Sequence, residues 1–348
     1  MNIDILGISV LWIFLWGYII VASIDFGAGF FGFYSVATGK KHITYAIIER
    51  YLSPVWEVTN VFLVFFYIGM VGFFPDTAMY YGTALLVPGS LALILLSIRG
   101  AYYAFSNYGS KQNVWYMFLY GATGLLIPAA LSTVLVISEG GIIQVIEGKI
   151  VLLWSELFSS LYTWSVILLA LVSVLYISAM FLTYYAHKAK DKPAYMILRG
   201  YALFWSLPTI LASLFAFYAI SQHNKEHFNN MLSLSWMFIA SFICFAIAVF
   251  FVWKGRNLGL SFIMVMLQFG FAFFGYGRAH LPYILYPYIT IREHFTNETM
   301  AIALVAAFIA GLFVLIPSIV LLLRLFLFDA AYVRGTKNKK GGKGSYGK

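Results

Sequence analysis

Three ionisable side chains stand inside otherwise apolar runs: Asp25 in "ASIDFGAGF", Glu57 in "SPVWEVTN" and Arg99 in "LLSIRGAYYAF". A charge held in lipid costs about 2.5–3.5 kcal/mol on insertion scales, so such groups face protein or water and mark function by default. Asp25, Gly29 and Gly32 recur at i, i+4 and i+7, which puts a carboxylate and two small residues on one helix face. That face admits a neighbouring helix closely and turns the carboxylate away from lipid. Glu57 and Asn60 share a face at i, i+3, with Thr59 beside them. Carboxylates flanked by hydroxyl and amide groups can hold water or relay a proton. The same residues also read as a structural ion pair, Asp25 or Glu57 with Arg99, that fixes packing. Taken alone, Arg99 reads as a residue that snorkels to the membrane interface.

The elements that must position these groups are membrane spans. Hydrophobic residues make up 62% of the 348 and charged residues only 10%, against about 25% charged in soluble domains. The mean hydropathy is +0.87. A bilayer core needs about 20 apolar helical residues, and nine runs qualify: 5–36, 52–74, 78–105, 115–138, 162–186, 199–221, 231–253, 258–279 and 300–327. They are continuous rather than alternating, which excludes barrel strands. The start "MNIDILG" lacks a basic n-region, so no cleavable signal is expected and the first run stays as a helix.

Orientation follows from the connections. Lys40, Lys41, Lys111, Lys188, Lys190, Lys192, Arg199, Lys254 and Arg256 fall in alternate ones, and the tail "RGTKNKKGGKGSYGK" is strongly basic. These mark the cytoplasmic side, so the N-terminus faces outside and the C-terminus the cytoplasm. The net charge of +9 therefore sets topology and implies no nucleic acid. The tail from Arg334 lacks apolar periodicity and reads as disordered, able to hold anionic lipid. Residues 42–52, "HITYAIIERYL", read as an interfacial amphipathic segment. With this topology Asp25, Glu57 and Arg99 all fall on the cytoplasmic side, at similar depth.

Other chemistries are excluded or unsupported. Cys244 is the only cysteine, so an intrachain disulfide or a Cys-ligated cluster is impossible. His42, His187, His223, His227, His280 and His294 lie in connections or at span ends, where no bis-His haem would sit. No Walker, HExxH or dinucleotide-binding pattern occurs. No catalytic or metal-ligating set is expected on this chain. The stretch "LPYILYPY" with Pro282 and Pro287 reads as a stiff aromatic connection, folding over a partner surface or lying in the outer interface. A secondary transporter using Asp25 and Glu57 for ion coupling is the alternative reading, although no Gly/Pro break recurs in two halves.

Taken together these residues resemble subunit II of the cytochrome bd-type quinol oxidases. The family's acid–glycine segment of span 1 is matched by Asp25, Gly27 and Gly29. Its Pro-x-Trp-acid opening of span 2 is matched by Pro54, Trp56, Glu57, Thr59 and Asn60, its basic residue closing span 3 by Arg99, and its aromatic–proline stretch by "LYPYIT" at 286–291. Ala22 replaces the earlier acid of the family's pair, Val55 a histidine, Glu57 the usual Asp, and Val58-Thr59-Asn60 the Gly-Asn-Gln run that follows.

The resemblance implies an all-α integral membrane protein of nine transmembrane helices, arranged as two four-helix bundles plus one peripheral helix. The bundles are 1–138 and 162–279, joined by an extracytoplasmic connection at 139–161. An aromatic and proline-rich connection at 280–299 leads to span 9 at 300–328 and the cytoplasmic tail at 329–348. It implies a heterodimer in the bacterial cell membrane with a subunit I that binds two haems b and one haem d and oxidises quinol. A small single-span subunit is a further partner left open. This chain would bind no cofactor and carry no catalytic centre. Glu57 would be the entry of a cytoplasmic proton path, with Thr59 and Asn60 beside it and Asp25 as the deeper relay.

Overall fold

The computed structural model describes residues 3–39, 48, 59–108, 114–146, 149–292 and 295–322. Glu57 with its neighbours Pro54 and Trp56, the segment 42–52 apart from Ile48, His294 and the basic tail lie outside them. The described chain is helical, with two small hairpins. The long helices are α1 (Ile3–Ala37), α4 (Leu86–Tyr108), α5 (Val114–Ser138), α7 (Leu161–Lys188), α8 (Lys192–His223), α10 (Ser235–Lys254), α11 (Leu258–His280) and α12 (Glu298–Leu322). Shorter ones are α2 (Thr59–Phe73), α3 (Pro75–Ala84), α6 (Trp154–Ser159) and α9 (Lys225–Ser233). Strands β1 (Ile143–Ile146) and β2 (Lys149–Leu152) pair antiparallel, as do β3 (Tyr283–Leu285) and β4 (Ile289–Thr290).

Seven of the described helices are long and apolar enough to cross a membrane, and eight if the bent pair α2–α3 counts as one span. The expected single helix over 78–105 is not formed. The chain bends by 120° between α2 and α3, and α4 starts afresh after Leu85. The cause is local. Pro75 opens α3, where its missing N–H costs nothing, and Phe73 and Phe74 are both fully buried, plugging the bend. With Asp76, Gly82 and Thr83 among its ten residues, α3 is too short and too polar to span. It packs instead against β2 and α4.

Helix α1 is the hub of the fold. It packs against α5, α7, α11 and α12, and residues 22–29 are buried on every side. A helix apolar all round is either enclosed by neighbours or faces lipid, and the burial of 22–29 shows that α1 is enclosed there. Small residues make the close approaches. A Cβ on Gly27 would stand 2.4 Å from Ser178 Cβ of α7, and one on Gly124 of α5 would stand 2.4 Å from the Phe26 carbonyl oxygen of α1. By contrast α12 clusters with α1 through Val305 and Phe308, the latter edge-on to Phe14, while Phe313 and Val314 are 77% and 70% exposed. Such a face suits lipid or a partner subunit.

The aromatic–proline connection folds back onto its own chain. Tyr286 N donates to Ser138 O at 2.9 Å, Tyr81 Oη donates to Ile284 O at 2.9 Å, and Leu285 and Ile289 are fully buried. Together with β1–β2, α6 and α9 it caps one end of the helices, sharing a cluster with Ile137, Ile142, Leu157 and Met231.

Candidate functional site

Arg99 reaches the interior because, over its described side chains, α4 buries one narrow seam, Pro88, Ala92, Leu95 and Arg99, spaced three and four residues apart. The guanidinium is fully buried, so it does not snorkel as the residue taken alone suggests. Its Nε donates to Asp25 Oδ2 at 2.9 Å and its Nη2 to the Asp25 carbonyl at 2.7 Å. Its Nη1 donates to the Tyr120 carbonyl at 2.8 Å. The second carboxylate oxygen of Asp25 accepts from Tyr120 Oη at 3.1 Å, and the Tyr120 ring lies 3.7 Å from the guanidinium carbon. Each guanidinium nitrogen and each carboxylate oxygen thereby has a hydrogen-bond partner, which is what burial of a charge pair requires. Three helices, α1, α4 and α5, are tied at one point.

Gly29, one turn after Asp25, leaves the room: a Cβ there would lie 2.9 Å from the Tyr120 ring and 3.1 Å from Arg99 Nη1. Gly27 serves a different contact, with α7. Tyr18, two turns before Asp25, carries a buried hydroxyl without a hydrogen-bond partner. At the described start of α2, Thr59 is buried and Asn60 half-buried. The geometry thus joins Asp25 to Arg99 and adds Tyr120, while Glu57 lies outside the described residues.

A second buried polar cluster sits at the capped end. Glu139 directly follows α5, and one of its oxygens, Oε1, faces His227 Nδ1 at 2.7 Å and His280 Nδ1 at 3.4 Å. Tyr276 Oη donates to that same oxygen, and Asn224 Nδ2 donates to Oε2 at 3.0 Å. His227 Nε2 stands 3.1 Å from the Tyr276 carbonyl. Asn224 also caps α9 by accepting from His227 N at 3.1 Å. Burial alone would raise the Glu139 carboxyl pKa, but the hydrogen bond from His227 and the charges of His280 and His227 outweigh it and hold it below the usual carboxylate value. From Tyr120 to Glu139 along α5 is 19 residues, about 28 Å of helix rise, so the two clusters occupy opposite ends of the fold.

Reading the sequence does not assemble this second cluster. Glu139, His227 and His280 are far apart in the chain and each lies at a helix end, where ionisable residues are ordinary. One signal was available: the end of span 4, the start of span 7 and the end of span 8 share a membrane side, as the depth comparison for Asp25 and Arg99 used on the other side.

An all-helical membrane protein with a carboxylate–guanidinium pair buried between its first spans is the class that fold and site define. The model of the family described as cytochrome bd terminal oxidase subunit II matches residues 3–326, and the chain belongs to that family. A curated Bacillus subtilis (strain 168) protein, provisionally named cytochrome bd menaquinol oxidase subunit II, is 35% identical over 340 residues, covering 95% of this chain and 97% of its own. The solved structure of bd oxidase from Geobacillus thermodenitrificans contains a chain 57% identical, with a TM-score of 0.82, covering 94% of this chain and 100% of that one. The chain is accordingly a multi-pass protein of the bacterial cytoplasmic membrane and a subunit of a bd-type quinol oxidase, an oxidoreductase complex.

Proposed function

We propose that this chain is the haem-free subunit II of a terminal oxidase that reduces oxygen to water with electrons from quinol, and that it supplies a cytoplasmic proton path to the haem-bearing subunit I, which it also stabilises. The electron chemistry belongs to the haems of that partner. Nine spans are proposed, grouped as bundles 1–138 and 162–279 with a peripheral span at 300–328, the N-terminus outside and the tail cytoplasmic. The packing of α4 on α5, of α5 on α1, of α7 on α8 and of α10 on α11 fits that grouping, with α7 also packed on α1 and α5 across the boundary between the bundles.

The haem-free reading is supported by the histidines. Among the described residues, His227 and His280 are the pair buried together, with ring centroids 5.1 Å apart and both Nδ1 atoms turned to Glu139. No macrocycle fits between them. His223 bonds the Gly140 carbonyl at 3.1 Å, and His187 lies at the end of α7 against Tyr195.

The single observation that carries the proton path is the buried node of Asp25, Arg99 and Tyr120. A bundle needs no charges to pack, and an ion pair of this kind is weak evidence of stability. Arg99 holds Oδ2, while Oδ1 faces the Tyr120 hydroxyl, a rotatable donor and acceptor. Asp25 is thus one carboxylate with a fixed side and an exchangeable side. Glu57 takes protons from the cytoplasm, Thr59 and Asn60 order the water between, and Asp25 passes them on. Asp25→Asn and Glu57→Gln variants are expected to assemble with unaltered haem spectra and to reduce oxygen about 10²-fold more slowly, within the range of a lost proton-transfer group. Unchanged quinol oxidase rates in the assembled complex would sink the path. The secondary-transporter alternative gives way to the family.

A further inference from the structure

We propose that Glu139, His227 and His280 bind one divalent transition-metal ion of the zinc class at the capped end of the helices, a site separate from the Asp25 node and independent of the proton path. The three residues each offer one ligand atom, all within 4.8 Å of one another, and all three are buried. Two imidazole nitrogens with one carboxylate oxygen is a donor set that suits zinc rather than magnesium or calcium, which take oxygen ligands. In a four-coordinate zinc site with bonds of about 2.0–2.1 Å, neighbouring ligand atoms lie about 3.3 Å apart. The Glu139–His280 edge already has that length, at 3.4 Å, and the Glu139–His227 edge of 2.7 Å has to open slightly.

The surrounding bonds orient the ligands. A carbonyl can only accept, so the 3.1 Å contact with the Tyr276 carbonyl places a proton on His227 Nε2. Nδ1 is then free to turn a lone pair towards the site. Asn224 Nδ2 occupies Glu139 Oε2 at 3.0 Å and leaves Oε1 for the ion. Metal-binding histidines and carboxylates are held in this way by a second bond away from the metal. The ion-free alternative matches its protons poorly. Three donors, from His227, His280 and Tyr276, would crowd one carboxylate oxygen while the other takes only Asn224. A dication satisfies both Nδ1 lone pairs and Oε1 at once. It also fastens the end of α5, the capped α9 and the end of α11 to one another; with three protein ligands, the fourth position of the ion falls to water.

The test uses the intact purified oxidase complex. Its zinc is measured by inductively coupled plasma mass spectrometry against haem iron, before and after chelation and after incubation with zinc chloride alone. About one zinc per complex is expected after incubation, with an X-ray absorption edge fitting two histidine nitrogens and oxygen. His280→Asn and Glu139→Gln should abolish that zinc with haem iron unchanged. Asn224→Ala keeps all three ligands and should weaken zinc binding about 10–100-fold, so it serves where a ligand variant fails to assemble. A wild-type complex that takes up no zinc overturns the proposal in favour of a purely hydrogen-bonded cluster. So does zinc that persists equally in His280→Asn, or in Asn224→Ala if only that variant assembles.

Discussion

Replacing the two buried charges separately and together is the sharpest probe of the Asp25 node. In Asp25→Leu the guanidinium of Arg99 loses its counter-charge but keeps one carbonyl bond to residue 25 and one to Tyr120, those made at 2.7 and 2.8 Å. In Arg99→Met the carboxylate keeps only the Tyr120 hydroxyl at 3.1 Å. Breaking a buried pair by removing one partner costs about 3–5 kcal/mol. Asp25→Leu should therefore fall near the lower end and Arg99→Met near the upper, a large part of the roughly 5–15 kcal/mol that keeps a typical domain folded. The double variant leaves neither charge stranded. Replacing a pair by apolar side chains of similar volume is often neutral or better, so it should recover to within about 2 kcal/mol of the wild type. The assay is the thermal midpoint of the purified complex, followed by tryptophan fluorescence and haem absorbance, with the yield of assembled complex alongside. A double variant no more stable than the worse single variant would refute the pairing. Oxygen consumption of the double variant then separates roles: it should stay slow despite recovered stability, because Asp25 is gone as a relay.

Two further outcomes follow from packing. Gly124→Ala places a methyl 2.4 Å from the Phe26 carbonyl oxygen and should cost about 1–3 kcal/mol, whereas Gly82→Ala, with nothing within 4 Å, should be neutral or stabilising by up to about 1 kcal/mol; thermal midpoints of the two complexes decide it. Arg199 on α8 holds the last carbonyls of α10, Val252 at 2.8 Å and Trp253 at 2.5 Å. Arg199→Met should cost about 1–2 kcal/mol given partial exposure and speed hydrogen exchange at 252–256, and unchanged exchange there would contradict this.

Charges inside apolar runs stand out against lipid, so Asp25 and Arg99 were legible and the depth comparison placed them together. Tyr120 was not, because an aromatic residue near a span end is ordinary and only the packing of α5 on α1 turns its hydroxyl to Asp25. The break at Leu85 had a local signal that hydropathy alone passes over. The run "LLVPGSLALILL" carries Pro88, Gly89 and Ser90, and Pro88 sits in the first turn of α4, where it has no N–H to continue the ladder back to Ala84. Glu139, His227 and His280 escaped because hydropathy is blind to helix ends, where a polar residue is equally at home in water or in a folded cap.

The hub position of α1 also bears on how the chain is made. Asp25 is synthesised 74 residues before Arg99, an interval of about 4–15 s at roughly 5–20 residues per second. Its packing surfaces on α7 and α11 emerge later still. Helix α1 is therefore made before the helices that enclose its carboxylate, and it is poorly suited to stand in lipid alone. For those seconds, its carboxylate and bare glycine faces make the nascent chain dependent on the insertion machinery or on early capture by later helices.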